Sequence, residues 1–138
     1  MIVADILSIN PHHLDSTATV LDALELILEH DIRHVPVVND GELIGIISDR
    51  DIRDFSLPLS EENYQPSSER ANLKARVTEI MSADPITVDT ETSLGDAIDI
   101  ILEQKIGALP VVDEGTRTLR GIVSYEDLLR AARPFLSE

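Results

Sequence analysis

One stretch of this chain occurs twice, and that repetition limits the fold more than any other feature. Residues 32–51 read Ile-Arg-His-Val-Pro-Val-Val, a turn at Asn39-Asp40-Gly41, then Leu-Ile-Gly-Ile-Ile-Ser-Asp-Arg-Asp. Residues 106–127 repeat this as Ile-Gly-Ala-Leu-Pro-Val-Val, a turn at Asp113-Glu114-Gly115, then Leu-Arg-Gly-Ile-Val-Ser-Tyr-Glu-Asp. Pro36 and Pro110 lie 74 positions apart and Gly45 and Gly121 lie 76 apart, so the second hairpin loop is longer by two. Two β-branched runs around an Asn-Asp-Gly turn are a hairpin signal, and a helical pattern opens directly after each. Two such units call for one core shared between copies.

The rest of each copy follows the same offset. Val3-Ala-Asp-Ile-Leu-Ser8 matches Val77-Thr-Glu-Ile-Met-Ser82, each a short amphipathic turn before a proline, Pro11 or Pro85. A short strand follows, clear at Ile86-Thr87-Val88 and weaker at His13-Leu14. Thr19-x-x-Asp22 and Ser93-x-x-Asp96 then read as capping boxes that open helices. Val20, Leu21, Leu24, Ile27 and Leu28 in one helix, and Leu94, Ile98, Ile101 and Leu102 in the other, have the spacing of one buried stripe each. The predicted architecture is mixed α/β: two βαββα repeats, 1–55 and 77–138, packed as a pseudo-twofold pair. Residues 56–76 have the composition of a linker, with some helical tendency in 69–74.

Charge narrows the partners. The formal net charge is −15, with 11 Lys and Arg against 26 Asp and Glu. Phosphate polymers and anionic membranes are bound through Lys and Arg, so neither nucleic acid nor membrane is an expected partner. One small nucleotide is compatible, provided the few basic residues cluster. The chain has no cysteine, which removes thiol nucleophiles, thiolate metal sites and disulfides. No apolar run approaches the length of a membrane span, and residues 1–5 lack the basic start of a secretory signal. A cytoplasmic location is expected.

Arg33, His34 and Arg50 stand close to a predicted helix start, where backbone N–H groups favour an anion. Ser48-x-x-Asp51 and Ser124-x-x-Asp127 at the helix starts are themselves further capping boxes in pattern. His12 and His13 are adjacent and so point to opposite sides of a strand; with His30 they suggest loop roles and no metal site. No Gly-x-x-x-x-Gly-Lys loop and no Gly-x-Ser-x-Gly elbow is present, nor a nucleophile with a base and an orienting carboxylate. The chain is not expected to be an enzyme.

The twofold repeat, the apolar-Pro-Val-Val hairpins, and Gly-Ile-Ile-Ser-x-x-Asp with Gly-Ile-Val-Ser-x-x-Asp resemble tandem CBS (cystathionine β-synthase) domains. The opening Met-Ile-Val, Ile-Arg-His-Val-Pro-Val-Val and Ser-Asp-Arg-Asp are similar to the CBS pair of acetoin-utilisation proteins of the AcuB type. The resemblance implies a regulatory module that commonly dimerises into a disc. It also implies an adenine nucleotide, AMP, ADP or ATP, bound in clefts between repeats, with no obligatory cofactor. On that reading Asp51 takes the ribose hydroxyls, Ser48 lies near phosphate, and Arg33, His34 and Arg50 meet the phosphates. The family's crossed arrangement would complete this cleft with Met81, Ile86, Ile106 and Gly107.

The second copy departs from the pattern. Gly107 and Ala108 replace Arg33 and His34, and Glu126 replaces Arg50, so the cleft of Ser124 and Asp127 is the weaker site. The competing function is a ligand-independent interaction module whose face docks an effector protein. The Arg33, His34 and Arg50 cluster separates the two, because a pure scaffold does not need it.

Overall fold

The computed structural model describes residues 1–9, 11–56 and 72–136. Residues 57–71, most of the expected linker, lie outside them; of the helical tendency over 69–74, residues 72–74 are helical. The first repeat runs through a 3-10 turn (Val3–Asp5), β1 (Ser8–Ile9), β2 (Leu14–Asp15), α1 (Val20–His30), β3 (His34–Asn39), β4 (Glu42–Ser48) and α2 (Asp49–Ser56). The second repeats this with a 3-10 turn (Val77–Glu79), β5 (Ser82–Ala83), β6 (Val88–Asp89), α3 (Leu94–Gln104), β7 (Ala108–Val112), β8 (Leu119–Ser124) and α4 (Tyr125–Ala132). The fold is mixed α/β, as the repeat requires.

The strands form two four-stranded sheets, in the orders β2-β3-β4-β5 and β1-β8-β7-β6. In each, a two-residue strand joins the hairpin in parallel, β2 on β3 and β6 on β7, with a helix as the crossover. At the other edge a two-residue strand pairs antiparallel, β5 on β4 and β1 on β8. The β3–β4 turn places both Asp40 (φ 52°) and Gly41 (φ 80°) in the left-handed region, the twist that a tight hairpin needs. The longer β7–β8 loop carries a register shift between Val111 and Val112.

The chain divides into two compact units, described separately. His12–Asp40 with Ile44–Asp84 make the first-repeat unit; Met1–Pro11, Gly41–Leu43 and Pro85–Glu138 make the second-repeat unit. Each unit therefore takes the opening turn and edge strand of the other repeat. Val77 N–H donates to Ala18 O at 2.9 Å and Val20 N–H to Ala75 O at 2.8 Å in the first-repeat unit. Val3 N–H donates to Thr92 O at 2.8 Å in the second. Val77 joins a core of Val20, Ile27, Val35, Val37, Ile47 and Ile52, and Val3 joins Ala97, Ile101, Leu109, Val111 and Val123. Each fully buried aliphatic side chain contributes about 1.5–3 kcal/mol over its exposed state.

The helix starts match their sequence signals, with the full box at Thr19 and its hydroxyl half at Ser93. Asp22 N–H donates to Thr19 Oγ1 at 3.2 Å while Thr19 N–H donates to Asp22 Oδ2 at 2.9 Å. At Ser93 the Oγ accepts from Asp96 N–H at 3.1 Å. The expected buried stripes are narrower than predicted. α1 buries Val20, Ala23 and Ile27, whereas Leu21 and Leu28 are 40% and 73% exposed. α3 buries Ala97 and Ile101 and leaves Leu102 68% exposed. Each exposed leucine is one residue, about 100°, round from a buried position, so these helices carry a second apolar face.

Candidate functional site

Ser48 closes β4 and Asp51 lies in the first turn of α2. Ser48 N–H donates to Asp51 Oδ2 at 2.8 Å, and Asp51 N–H donates to Ser48 Oγ at 3.1 Å. The capping reading of this motif is therefore realised, and Asp51 Oδ1 stays outside the pair of bonds. Asp49 N–H donates to Arg33 O at 3.0 Å, which fastens the approach to β3 onto the start of α2. Arg33, His34, Ser48, Arg50 and Asp51 thus gather at one end of the first-repeat unit.

Their environments differ. Arg33 is exposed, and the Arg50 side chain is 82% exposed, with a loose ion pair to Asp54 at 4.0 Å. His34 is half-buried. Burial pushes its imidazole below the ordinary value against the opposing pull of Asp49 and Asp51, and Arg33 adds to the lowering. Asp49 was not singled out by the sequence. Its place in the first turn, directly before Arg50, is the signal that could have found it.

Met81 belongs to the same unit and packs against its core. It lies so close to Gly45 that a Cβ there would overlap the Met81 sulfur. The glycine of the Gly-Ile-Ile-Ser motif is what lets β5 approach β4. Gly121 is equivalent: a Cβ would overlap Leu7 and lie 2.6 Å from Ser8 O on β1.

Ile86, Ile106 and Gly107 lie in the second-repeat unit, with Ser124 and Asp127. The same scaffold recurs there. Tyr125 N–H donates to Gly107 O at 3.0 Å, Ser124 N–H to Asp127 Oδ2 at 2.8 Å, and Asp127 N–H to Ser124 Oγ at 3.2 Å. Gly107 thus occupies the place of Arg33, and the buried Ala108 that of His34. The second oxygen of Asp127 already faces Arg130, at 3.9 Å. Ile106 packs against the core of this unit, while Ile86 is 42% exposed. A cleft of about 540 Å³ elsewhere in this unit is lined by Asp89, Asp96, Asp99, Asp113 and Glu114, an environment that repels phosphate.

His12 and His30 stack, with ring centroids 3.8 Å apart and planes 17° from parallel. Among the described residues no group of three or more His, Cys, Asp or Glu side chains could hold a metal ion. No described helix is long and apolar enough to cross a membrane.

Comparison with known proteins gives this scaffold a context. The fold matches the crystal structure of CBSX2 of Arabidopsis thaliana in complex with AMP, at TM-score 0.79 and 31% identity over 97% of both chains. It matches the acetoin utilization protein designated AcuB from Vibrio cholerae at TM-score 0.79 and 30% identity, covering 98% of this chain and 92% of that one. The CBS domain pair of protein MJ0100, crystallised with 5′-methylthioadenosine and S-adenosyl-L-methionine, gives TM-score 0.81 at 28% identity, covering 99% and 98%. The chain spans 39% of the length of a Methanocaldococcus jannaschii relative and 79% of one from Dictyostelium discoideum. The family model for the CBS domain matches residues 3–57 and 77–134. With two copies in tandem over most of its length, the chain belongs to the CBS domain family.

Proposed function

We propose that this chain is a regulatory, non-catalytic module that binds an adenine nucleotide through the Asp51 end of the first-repeat unit. The observation that carries the reading is the clustering of Arg33, His34 and Arg50 around the Ser48–Asp51 box, in a chain of net charge −15. A carboxylate with an oxygen outside its capping bond can accept from the two hydroxyls of a ribose. Guanidinium groups beside a helix N-terminus suit the phosphates. The AMP bound to CBSX2 and the adenosine compounds bound to the MJ0100 pair support this ligand class. Binding regulates only so far as the nucleotide prefers one conformation of the module over another.

Isothermal titration with adenosine, AMP, ADP, ATP and S-adenosylmethionine tests the reading. Binding of at least one nucleotide, weakened by Asp51→Ala, is expected. Failure of all five to bind would leave the cluster as a solvated surface.

A further inference from the structure

The basic cluster at the Asp51 end is matched by carboxylates. Arg50 has Asp54 one helical turn further on, with Nε 4.0 Å from Oδ2. His34 lies in the field of Asp49 and Asp51, and Asp49 N–H donates to Arg33 O at 3.0 Å. Asp49, Asp51 and Asp54 thus set three formal negative charges against the two positive ones of Arg33 and Arg50. Burial also holds His34 toward its neutral form. The second repeat has Tyr125 at the position of Asp49 and Arg130 at that of Asp54. Both carboxylates therefore accompany the basic cluster and are not part of the repeat's common scaffold.

This balance sets how much phosphate the site can take. One phosphate can draw Arg50 from its loose contact with Asp54, whose side chain is 71% exposed, so one charge-assisted interaction replaces another. Each further phosphate adds negative charge where the cations already face carboxylates, and like charges brought together disfavour a complex. Salt screens exposed charges beyond about 8–10 Å, so carboxylates inside the cluster weigh more than the rest of the −15 net charge.

We propose that Asp49 and Asp54 are specificity-determining residues that limit the Asp51 site to a nucleoside monophosphate and disfavour the diphosphate and triphosphate. The inference rests on the nucleotide reading above and adds a selection by phosphate count.

Calorimetric titration of the full chain with adenosine, AMP, ADP and ATP tests it, at constant ionic strength and without divalent cations. AMP should bind more tightly than ADP, and ADP more tightly than ATP. Asp49→Asn and Asp54→Asn keep side-chain size and the backbone bond to Arg33 while removing a charge. Each should strengthen ATP binding roughly two- to fivefold, the scale of an exposed charge pair, with a smaller gain for AMP and none for adenosine. Asp99→Asn, which removes the same charge from α3, should leave the AMP-to-ATP ratio unchanged. Failure of every ligand to bind would remove the nucleotide reading and this inference together. If nucleotides bind, ATP equal to or tighter than AMP overturns the selection alone. So do Asn variants that shift all ligands alike, or an Asp99→Asn effect as large as theirs.

Discussion

The N–H of Asp49 donates to the carbonyl of Arg33 at 3.0 Å, tying the first residue of α2 to the residue before β3. Tyr125 and Gly107 are joined in the same way at 3.0 Å. One backbone bond per repeat thus decides which side chains stand beside each capping box. In the first repeat they are basic; in the second they are Gly107 and Ala108.

Asp51 and Asp127 should therefore be equal in stability and unequal in binding. Each accepts a backbone N–H at 2.8 Å, so either Asp→Ala change should cost about 0.5–2 kcal/mol of unfolding free energy. Only Asp51→Ala should remove most AMP binding. Denaturant titrations and calorimetry on the same samples separate the roles, and equal binding losses would contradict the asymmetry.

Arg50 should report the phosphate count. Among the described residues its guanidinium pairs loosely with Asp54, at 4.0 Å, and its side chain is largely exposed. A charge-assisted hydrogen bond contributes about 1.5–3 kcal/mol, so Arg50→Ala should weaken AMP or ATP binding roughly tenfold or more. Adenosine binding should barely change. Salt should reduce nucleotide affinity more than adenosine affinity, because screening acts on the charged part. Equal affinity for all three ligands, untouched by the substitution, would exclude phosphate contact.

His34 should make both stability and binding depend on pH, with opposite signs. Burial lowers its folded-state value, so above the ordinary histidine range folded and unfolded chains are both neutral and its contribution is fully present. As pH falls from about 6.5 through the lowered value, the unfolded chain takes up the proton first and stability declines. A bound phosphate favours the imidazolium, so nucleotide binding should take up a proton in that window and tighten as pH falls. Denaturation between mildly acid and neutral pH, and calorimetry in buffers of different ionisation enthalpy, check both signs. His34→Gln should flatten both curves.

The two motif glycines should differ in tolerance. A methyl on either meets a flexible side chain, Met81 or Leu7, and a backbone carbonyl, but the Ser82 carbonyl lies 3.0 Å from the methyl on Gly45 and the Ser8 carbonyl only 2.6 Å from that on Gly121. Overpacking costs of about 1–3 kcal/mol are expected, with Gly121→Ala the more destabilising of the pair. Thermal unfolding of the two variants gives the order directly.

The hairpins and capping boxes were legible because each rests on contacts close in sequence. Asn39-Asp40-Gly41 dictates its own turn, and Thr19 with Asp22 completes a cap across three residues. The two-residue strands β1 and β5 were not legible, since two residues carry no periodicity. The partner of Ser8 is Ile122. Leu21, Leu28 and Leu102 were misread because a helix with two apolar faces has the same leucine spacing as one with a broad buried stripe. The nearness of Arg33 to the start of α2 was legible from the strand–helix pattern, while the part of Asp49 in it was not: a carboxylate in the first turn reads as an ordinary helix-start charge.

The exchange of opening turns has a consequence for what counts as a folding unit. A fragment ending before Val77 would keep α1, β3, β4 and α2 but lose a core side chain that is fully buried, together with the strand covering the β4 edge. The complementary fragment would lack Val3 and leave β8 uncovered. An uncovered edge beside an unfilled core seeks another chain to complete it. Cutting this protein at its covalent midpoint should thus yield two pieces that recapture each other, or recruit the missing segment from further copies of themselves. The gene's repeat and the polypeptide's cooperative unit are different objects.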